Sequence, residues 1–315
     1  MPVMGTGPTF PEGVLVGEGP GREEAEEGQP FVGSTGRELD AALAKAGLLR
    51  SRMYLLNATC CQPPPSKSEP MMERAVACCA PAFRAQLYKV PATVPVFAMG
   101  RWAAAAVTGQ SKGVMESRGF IRELGERKLI ISWHPTYAAF RNPYEWGAFE
   151  LDLDRFARLL NGQLQPAPRR IVTRPTVKDV RAVAEDGWVA FDIETSPAKG
   201  DESGVTGRHP TRARLRSVGL GNQVWGLAHY WGTDPLVEGA IIELLANADV
   251  MKVGHNIIWF DIPVLRRHGI QVRNYVDTRD MRRAMSATSQ LSLRYLASIL
   301  TDSPPWKEAD SDGAK

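Results

Sequence analysis

The stretch that most restricts the fold is Val14 to Gly33, VLVGEGPGREEAEEGQPFVG. Val14, Leu15 and Val16 make a short unbroken apolar run, the pattern of a strand buried in a parallel sheet. Gly17, Glu18, Gly19, Pro20 and Gly21 stop it abruptly. Small residues at the carboxyl end of such a strand let backbone N–H groups approach a ligand, and open α/β sheets bind ligands at that end. The turn has neither the GxGxxG spacing of a dinucleotide site nor the GK[ST] ending of a P-loop, which argues against a nucleotide cofactor.

The rest of the first half supports an alternating pattern. Arg37 to Gly47 places Leu39, Ala42, Leu43 and Ala46 on one helical face and ends on glycine. Met53 to Thr59 reads as a second strand, Gln62 to Pro70 as a proline-rich loop and Glu73 to Lys89 as a helix. A strand over Val94 to Met99, a short helix over Trp102 to Val107, a strand over Lys128 to Ser132 and a helix over Pro143 to Leu160 follow. Strands alternating with helices predict a mostly parallel sheet between helical layers.

A chain of 315 residues exceeds one typical domain, and the composition shifts at Asn161 to Arg170, a Pro- and Gln-bearing stretch without hydrophobic period. The division expected is residues 1–163, a linker over 164–174, and residues 175–315. In the second part, strands are expected over Trp188 to Ile193, Arg214 to Leu220, Val224 to Tyr230 and Met251 to Gly254, with helices over Ala240 to Ala246 and Trp259 to His268.

Net charge is only +3, so overall charge is no argument for nucleic acid. Locally, RHPTRARLR at Arg208 to Arg216 holds four arginines and a histidine in nine residues, suited either to a solvated face or to phosphate contacts. No stretch reads as a signal peptide and no run of 18 apolar residues occurs, so neither secretion nor a membrane is expected. The four cysteines form two adjacent pairs, Cys60–Cys61 and Cys78–Cys79, which is no secreted disulfide framework and fits a reducing cytoplasm.

GEGPG, then GQPFVGSTG, then Asn57 at a strand end, then SWHPTY at Ser132 to Tyr137 together resemble the uracil-DNA glycosylase superfamily, in particular its iron–sulfur, family 4-like branch. The resemblance covers about residues 10–160 and implies a three-layer α/β/α domain. It also implies that Glu18 and the amides of Gly17 and Gly19 lie beside the scissile bond and the attacking water. Phe31 would stack on uracil, Asn57 would read its amide edge, and His134 would face its O2 oxygen. Two features depart from the branch. Cys61 and Cys78 or Cys79 match its downstream cysteine pair, with Cys61 and Cys79 the possible cluster ligands, but no upstream pair exists, so a [4Fe-4S] cluster is not expected. Ser66 and Lys67 stand where the family usually has Asn-Arg.

In the second part, FDIET puts Asp192 and Glu194 two apart on a strand, so both carboxylates project from one face. GHNIIWFDIPVL adds Asn256 and Asp261. These motifs, with VDTRDM and LSLRYLASIL, resemble the proofreading 3′–5′ exonuclease domain of family A DNA polymerases, a ribonuclease H-like fold with a mixed sheet. The resemblance implies two-metal hydrolysis with magnesium or manganese (Mg2+ or Mn2+) on Asp192, Glu194 and Asp261. Asn256, Arg212, Arg214 and Arg216 would contact DNA. The third exonuclease motif is missing, since Arg279 and Ile299 follow Tyr275 and Tyr295 at its spacing, so this domain is expected to be incomplete at its C-terminal end. Asp310 and Asp312 read as solvated tail rather than as substitutes.

The function expected is uracil excision from DNA, fused to an exonuclease module, in the cytoplasm of a bacterial or phage-infected cell. Its partners would be single-stranded or primer-template DNA and a DNA polymerase domain or subunit. The alternative is a non-catalytic uracil-sensing and DNA-holding module that positions or pauses a polymerase.

Overall fold

Strand β1 (Gly13–Gly17) is fully buried, as an uninterrupted Val-Leu-Val run demands, and both neighbouring layers of the first unit are built on it. The computed structural model describes residues 2–63, 68–110, 113–164, 170–198, 200–201, 204–285 and 290–302. The chain forms two compact units, one of Met1–Pro166 with the chain from Arg294, the other of Ala167–Leu293. Ser66, Lys67, Asp310 and Asp312 lie outside the described residues, as does part of the expected linker.

In the first unit β1 is followed by α1 (Arg22–Glu27), α2 (Ser34–Lys45), β2 (Met53–Asn57), α3 (Glu69–Leu87), β3 (Val96–Met99), α4 (Arg101–Thr108) and α5 (Val114–Ser117). Then come β4 (Ile121–Leu124), β5 (Arg127–Ser132), a π-helical turn over Tyr137–Arg141 and α6 (Trp146–Leu160). The sheet order is β2-β1-β3-β5-β4, parallel except for β4, which pairs antiparallel with β5. Alternation along the strands separates two cores. Leu15, Phe97 and Ile130 pack with Leu39 and Leu43 of α2 and Phe149, Leu153 and Phe156 of α6. Val14, Val16, Val96, Ala98, Leu129 and Ile131 pack with Phe83 of α3 and Ala103 and Ala104 of α4. This is the expected three-layer α/β/α arrangement. Helix α3 starts four residues before the expected Glu73, because Pro70 falls in its first turn, where a missing N–H costs little. Helix α1 and the hairpin strand β4 were not foreseen; both are short and largely exposed, with no apolar period to announce them.

The second unit contains β6 (Arg170–Val172), α7 (Val177–Ala182), β7 (Trp188–Ser196), β8 (Arg214–Gly221), β9 (Trp225–Tyr230), α8 (Pro235–Ala246), β10 (Met251–Gly254), α9 (Asp261–Arg267), β11 (Tyr275–Asp277) and α10 (Thr278–Met285). Its six-stranded sheet runs β11-β10-β7-β8-β9-β6, with β7, β8 and β9 antiparallel and the other pairings parallel, the mixed sheet expected. Val189, Phe191, Ile193, Val218 and Leu220 pack on Ile241 and Leu245 of α8 and Ile262 and Leu265 of α9.

Two boundaries differ from the sequence division. Residues 170–172, expected as linker, pair with β9 as an edge strand. Helix α11 (Leu293–Leu300), expected with residues 175–315, packs almost entirely within the first unit, where Tyr295 and Leu296 lie against Ala148. No helix among the described residues is long and apolar enough to cross a membrane.

Candidate functional site

In the first unit the parallel register sets Gly17 of β1 directly beside Asn57 of β2. A Cβ on Gly17 would run into Asn57 Oδ1 and the Phe31 ring, so glycine is required by close approach. Backbone bonds from Ala58 N–H to the Gly17 carbonyl (2.9 Å) and from Thr59 N–H to the Glu18 carbonyl (3.1 Å) hold the two strand ends together. Phe31 adopts a left-handed backbone, φ 58°, unusual for an aromatic residue. The Glu24 carboxylate stabilises it by accepting from the N–H groups of both Phe31 and Gly21.

Glu18 lies at the start of α4, where its Oε1 accepts from Trp102 N–H at 3.2 Å. Gly100, φ 96°, leaves the space that this carboxylate occupies. His134 follows the end of β5. Thr136 N–H donates to its Nδ1 at 3.2 Å, so in the neutral ring Nε2 is the nitrogen left to carry the proton as a donor. A Thr35–Thr136 hydroxyl bond of 2.8 Å ties the His134 loop to the first turn of α2.

These groups converge on a cavity of about 400 Å³ whose lining includes Glu18, Gly19, Phe31, Asn57, His134 and Tyr137. Asn57 is buried, and its Nδ2 has no hydrogen-bond partner among the described residues. A buried amide donor left unmatched is costly unless a ligand completes it. A larger groove of about 930 Å³, between α3 and α4, contains none of the glycine-turn residues. The expected residues Gly17, Glu18, Gly19, Phe31, Asn57 and His134 are thus brought to one place, Gly17 as its close-packed floor. Glu24, which sequence analysis passed over, is recognisable only as the acidic residue three after Gly21, a helix-start spacing.

The cysteines do not form such a site. Cys60 is buried, and its N–H donates to Cys79 Sγ at 3.4 Å, while Cys61 and Cys78 are exposed. Burial, and then Cys79, push the Cys60 thiol up, away from the thiolate that ligates metal. Among the described residues no three His, Cys, Asp or Glu side chains converge as a metal site.

In the second unit β7 exposes Asp192 and Glu194, and Asp261 is buried at the first turn of α9. Asp261 Oδ1 accepts from Ile193 N–H at 3.1 Å, which lodges it between the two exposed carboxylates along the strand. Burial, and then the charge of Asp192, push its carboxyl up to about 7. Two carboxylates held in conflict suit a hard divalent cation, although Glu194 does not close a group of three with them among the described residues. Asn256, φ 64°, has its side-chain oxygen bonded by Arg279. The loop carrying Asn256 is pinned by Asp277, another residue not foreseen, whose carboxylate accepts from the N–H groups of Asn256 (2.9 Å), Ile258 (3.1 Å) and Arg279 (2.9 Å). Arg212, Arg214 and Arg216 are all exposed. Arg214 pairs with Ser196, two residues beyond Glu194 on the same side of β7, and Arg216 is the extra residue where the β7–β8 register shifts.

The uracil DNA glycosylase superfamily matches residues 4–152, and a 3′–5′ exonuclease family matches residues 176–310. The type-4 uracil-DNA glycosylase of Thermotoga maritima is 35% identical over 137 residues, covering 43% of this chain and 70% of that protein. The type-4 uracil-DNA glycosylase of Archaeoglobus fulgidus is 32% identical over 172 residues, covering 52% of this chain and 84% of that protein. Among solved structures, Brucella melitensis NrnC with bound Mg2+ is similar at 18% identity over 45% of this chain and 65% of that chain, with a TM-score of 0.33.

Proposed function

Because the chain belongs to the uracil DNA glycosylase superfamily through residues 4–152 and carries a 3′–5′ exonuclease domain over residues 176–310, we propose that it excises uracil from DNA by hydrolysing the N-glycosidic bond. The observation that carries this reading is the unmatched Asn57 Nδ2 in a cavity shared with Phe31 and His134. A uracil rotated out of the base stack brings the carbonyl acceptor that this donor lacks, and an apolar face for Phe31. As the bond from the sugar C1′ to uracil N1 breaks, negative charge grows on the base oxygens. His134 Nε2–H then donates to O2 more strongly in the transition state than in the ground state, which accelerates the step. Glu18, fixed by α4, orients the water whose oxygen bonds to C1′, and the proton which that water sheds neutralises the departing uracil anion. Gly17 and Gly19 keep the backbone close to the reacting sugar.

For the second unit we propose a 3′–5′ exonuclease module. Asp192, Glu194 and Asp261 would hold magnesium or manganese, which when bound activates water and neutralises charge at the phosphodiester. Asn256 would contact the terminal nucleotide, and Arg212, Arg214 and Arg216 the phosphates of a single-stranded 3′ end. A DNA polymerase domain or subunit is the proposed partner, in the cytoplasm of a bacterial or phage-infected cell.

The test is uracil release from single- and double-stranded oligonucleotides. Release that is lost in Asn57→Ala with the fold retained is the expected result. Uracil-specific binding without release would replace this reading with a uracil-sensing module.

A further inference from the structure

Two hydrogen-bond chains leave α11 and end on the two residues that immediately precede His134. The first starts at Ser298, whose Oγ accepts from Arg118 Nη1 at 2.8 Å. Arg118 binds Asp152 through Nη2 (2.6 Å) and Nε (3.1 Å), and Ser132 Oγ donates to Asp152 Oδ2 at 2.6 Å. The second starts at Tyr295, whose hydroxyl donates to Glu145 Oε2 at 3.2 Å, and the same oxygen accepts from Trp133 Nε1 at 2.9 Å. The Arg118 guanidinium lies over the Tyr295 ring at 5.3 Å and joins the two chains. Ser132, Glu145, Asp152, Tyr295 and Ser298 are all buried, as is Arg118.

Such a network is an expensive way to seat a helix, since a buried ion pair often stabilises less than apolar packing of the same volume. What it provides is direction, because each polar atom tolerates only a narrow geometry. Further along, Arg155 donates to the carbonyls of Ser298 and Thr301 and Arg158 to the Asp302 carboxylate, so the segment from Tyr295 to Asp302 is clamped at both ends. This segment falls inside the residues that match the exonuclease family, yet its polar contacts are made to the first unit.

We propose that α11 is a working part of the glycosylase, with Tyr295 and Ser298 as positioning residues that set His134 through Trp133 and Ser132. The inference rests on the reading of His134 as the donor to uracil. By it, a segment that matches the exonuclease family in sequence cannot be altered without cost to uracil excision.

The experiment uses the full chain and measures kcat and KM for uracil release from a single-stranded oligonucleotide, together with the thermal midpoint. Tyr295→Phe and Ser298→Ala each remove one hydroxyl and keep the helix. Each should lower kcat by about two- to tenfold, the scale of one lost hydrogen bond, with KM unchanged. In a His134→Ala background neither substitution should lower kcat further. An equal fold-loss in both backgrounds would mean that α11 only supports the fold, and unchanged kcat in both variants of an active protein would overturn the inference while leaving the glycosylase reading intact. A wild-type chain that releases no uracil would overturn both. Should Tyr295→Phe fail to fold, Ser298→Ala answers the same question through the other chain.

Discussion

The cavity beside the glycine turn and the carboxylate strand of the second unit are built on opposite principles. Around Phe31, Asn57 and His134, polar atoms are fixed by backbone bonds and by Glu24, Thr136 and the close approach at Gly17, so the site is shaped before anything binds. Around Asp192 and Asp261, burial and then the neighbouring carboxylate keep Asp261 from ionising readily. The lesson is that main-chain geometry can fix neutral polar groups in advance, whereas two neighbouring carboxylates stay in electrostatic conflict unless positive charge offsets them.

The sharpest way to break this comparison is to remove the preorganised donors. His134→Ala and Asn57→Ala should each slow uracil release by about a hundredfold or more, with 3′-end degradation unchanged. Little change in uracil release would show that the shaped cavity is not where uracil reacts.

A smaller effect should separate the electrostatics of the second unit. The Asp261 carboxyl, raised from 3.8 to about 7 chiefly by burial and next by Asp192, favours the protonated folded state. Its contribution to stability is therefore fully present below about pH 4 and lost as pH rises through about 7. In EDTA at pH 8, Asp261→Asn should unfold several degrees above the parent, about the shift that a kcal/mol or more produces, and the gap should close at pH 4. Melting curves that run parallel at all pH values would show no conflict between the carboxylates.

Asp277 has the opposite sign. Burial pushes it up, but backbone N–H donors from Ile258, Asn256 and Arg279 outweigh this and hold it below the usual carboxylate range. Its stabilisation is present above pH 4 or so and fades as the pH falls. Asp277→Ala leaves those donors unmatched and should cost about 1–3 kcal/mol in urea unfolding, while Asp277→Asn should recover part of it. If Ala and Asn behave alike, the loop carrying Asn256 is held by something else.

The smallest effect concerns the thiols. Purified protein should be colourless, and iron chelation or Cys61→Ser should leave uracil release and the thermal midpoint unchanged. A visible absorption band lost in Cys61→Ser would show that the exposed thiols gather into a cluster in solution.

Much of this molecule was readable from the chain alone, because its signals are local and periodic. The Val14–Val16 run ending in glycines places a buried strand and a sharp turn, and the DxE spacing of Asp192 and Glu194 places two carboxylates on one strand face. Phe31, Asn57 and His134 lie far apart in sequence, yet each sits at or just after the end of a strand or turn that the sequence marks. What only the tertiary structure decided is how distant polar groups pair. Glu24 is one of several glutamates in its run until its carboxylate meets the Phe31 and Gly21 amides. Cys60 rather than Cys61 turns toward Cys79. Residues 294–302 match one domain in sequence and pack in the other unit, because the partners of Tyr295 and Ser298 are Glu145 and Arg118. Periodicity reports which face of an element is buried, whereas the partner of a buried polar atom depends on the full three-dimensional arrangement, which no local pattern encodes.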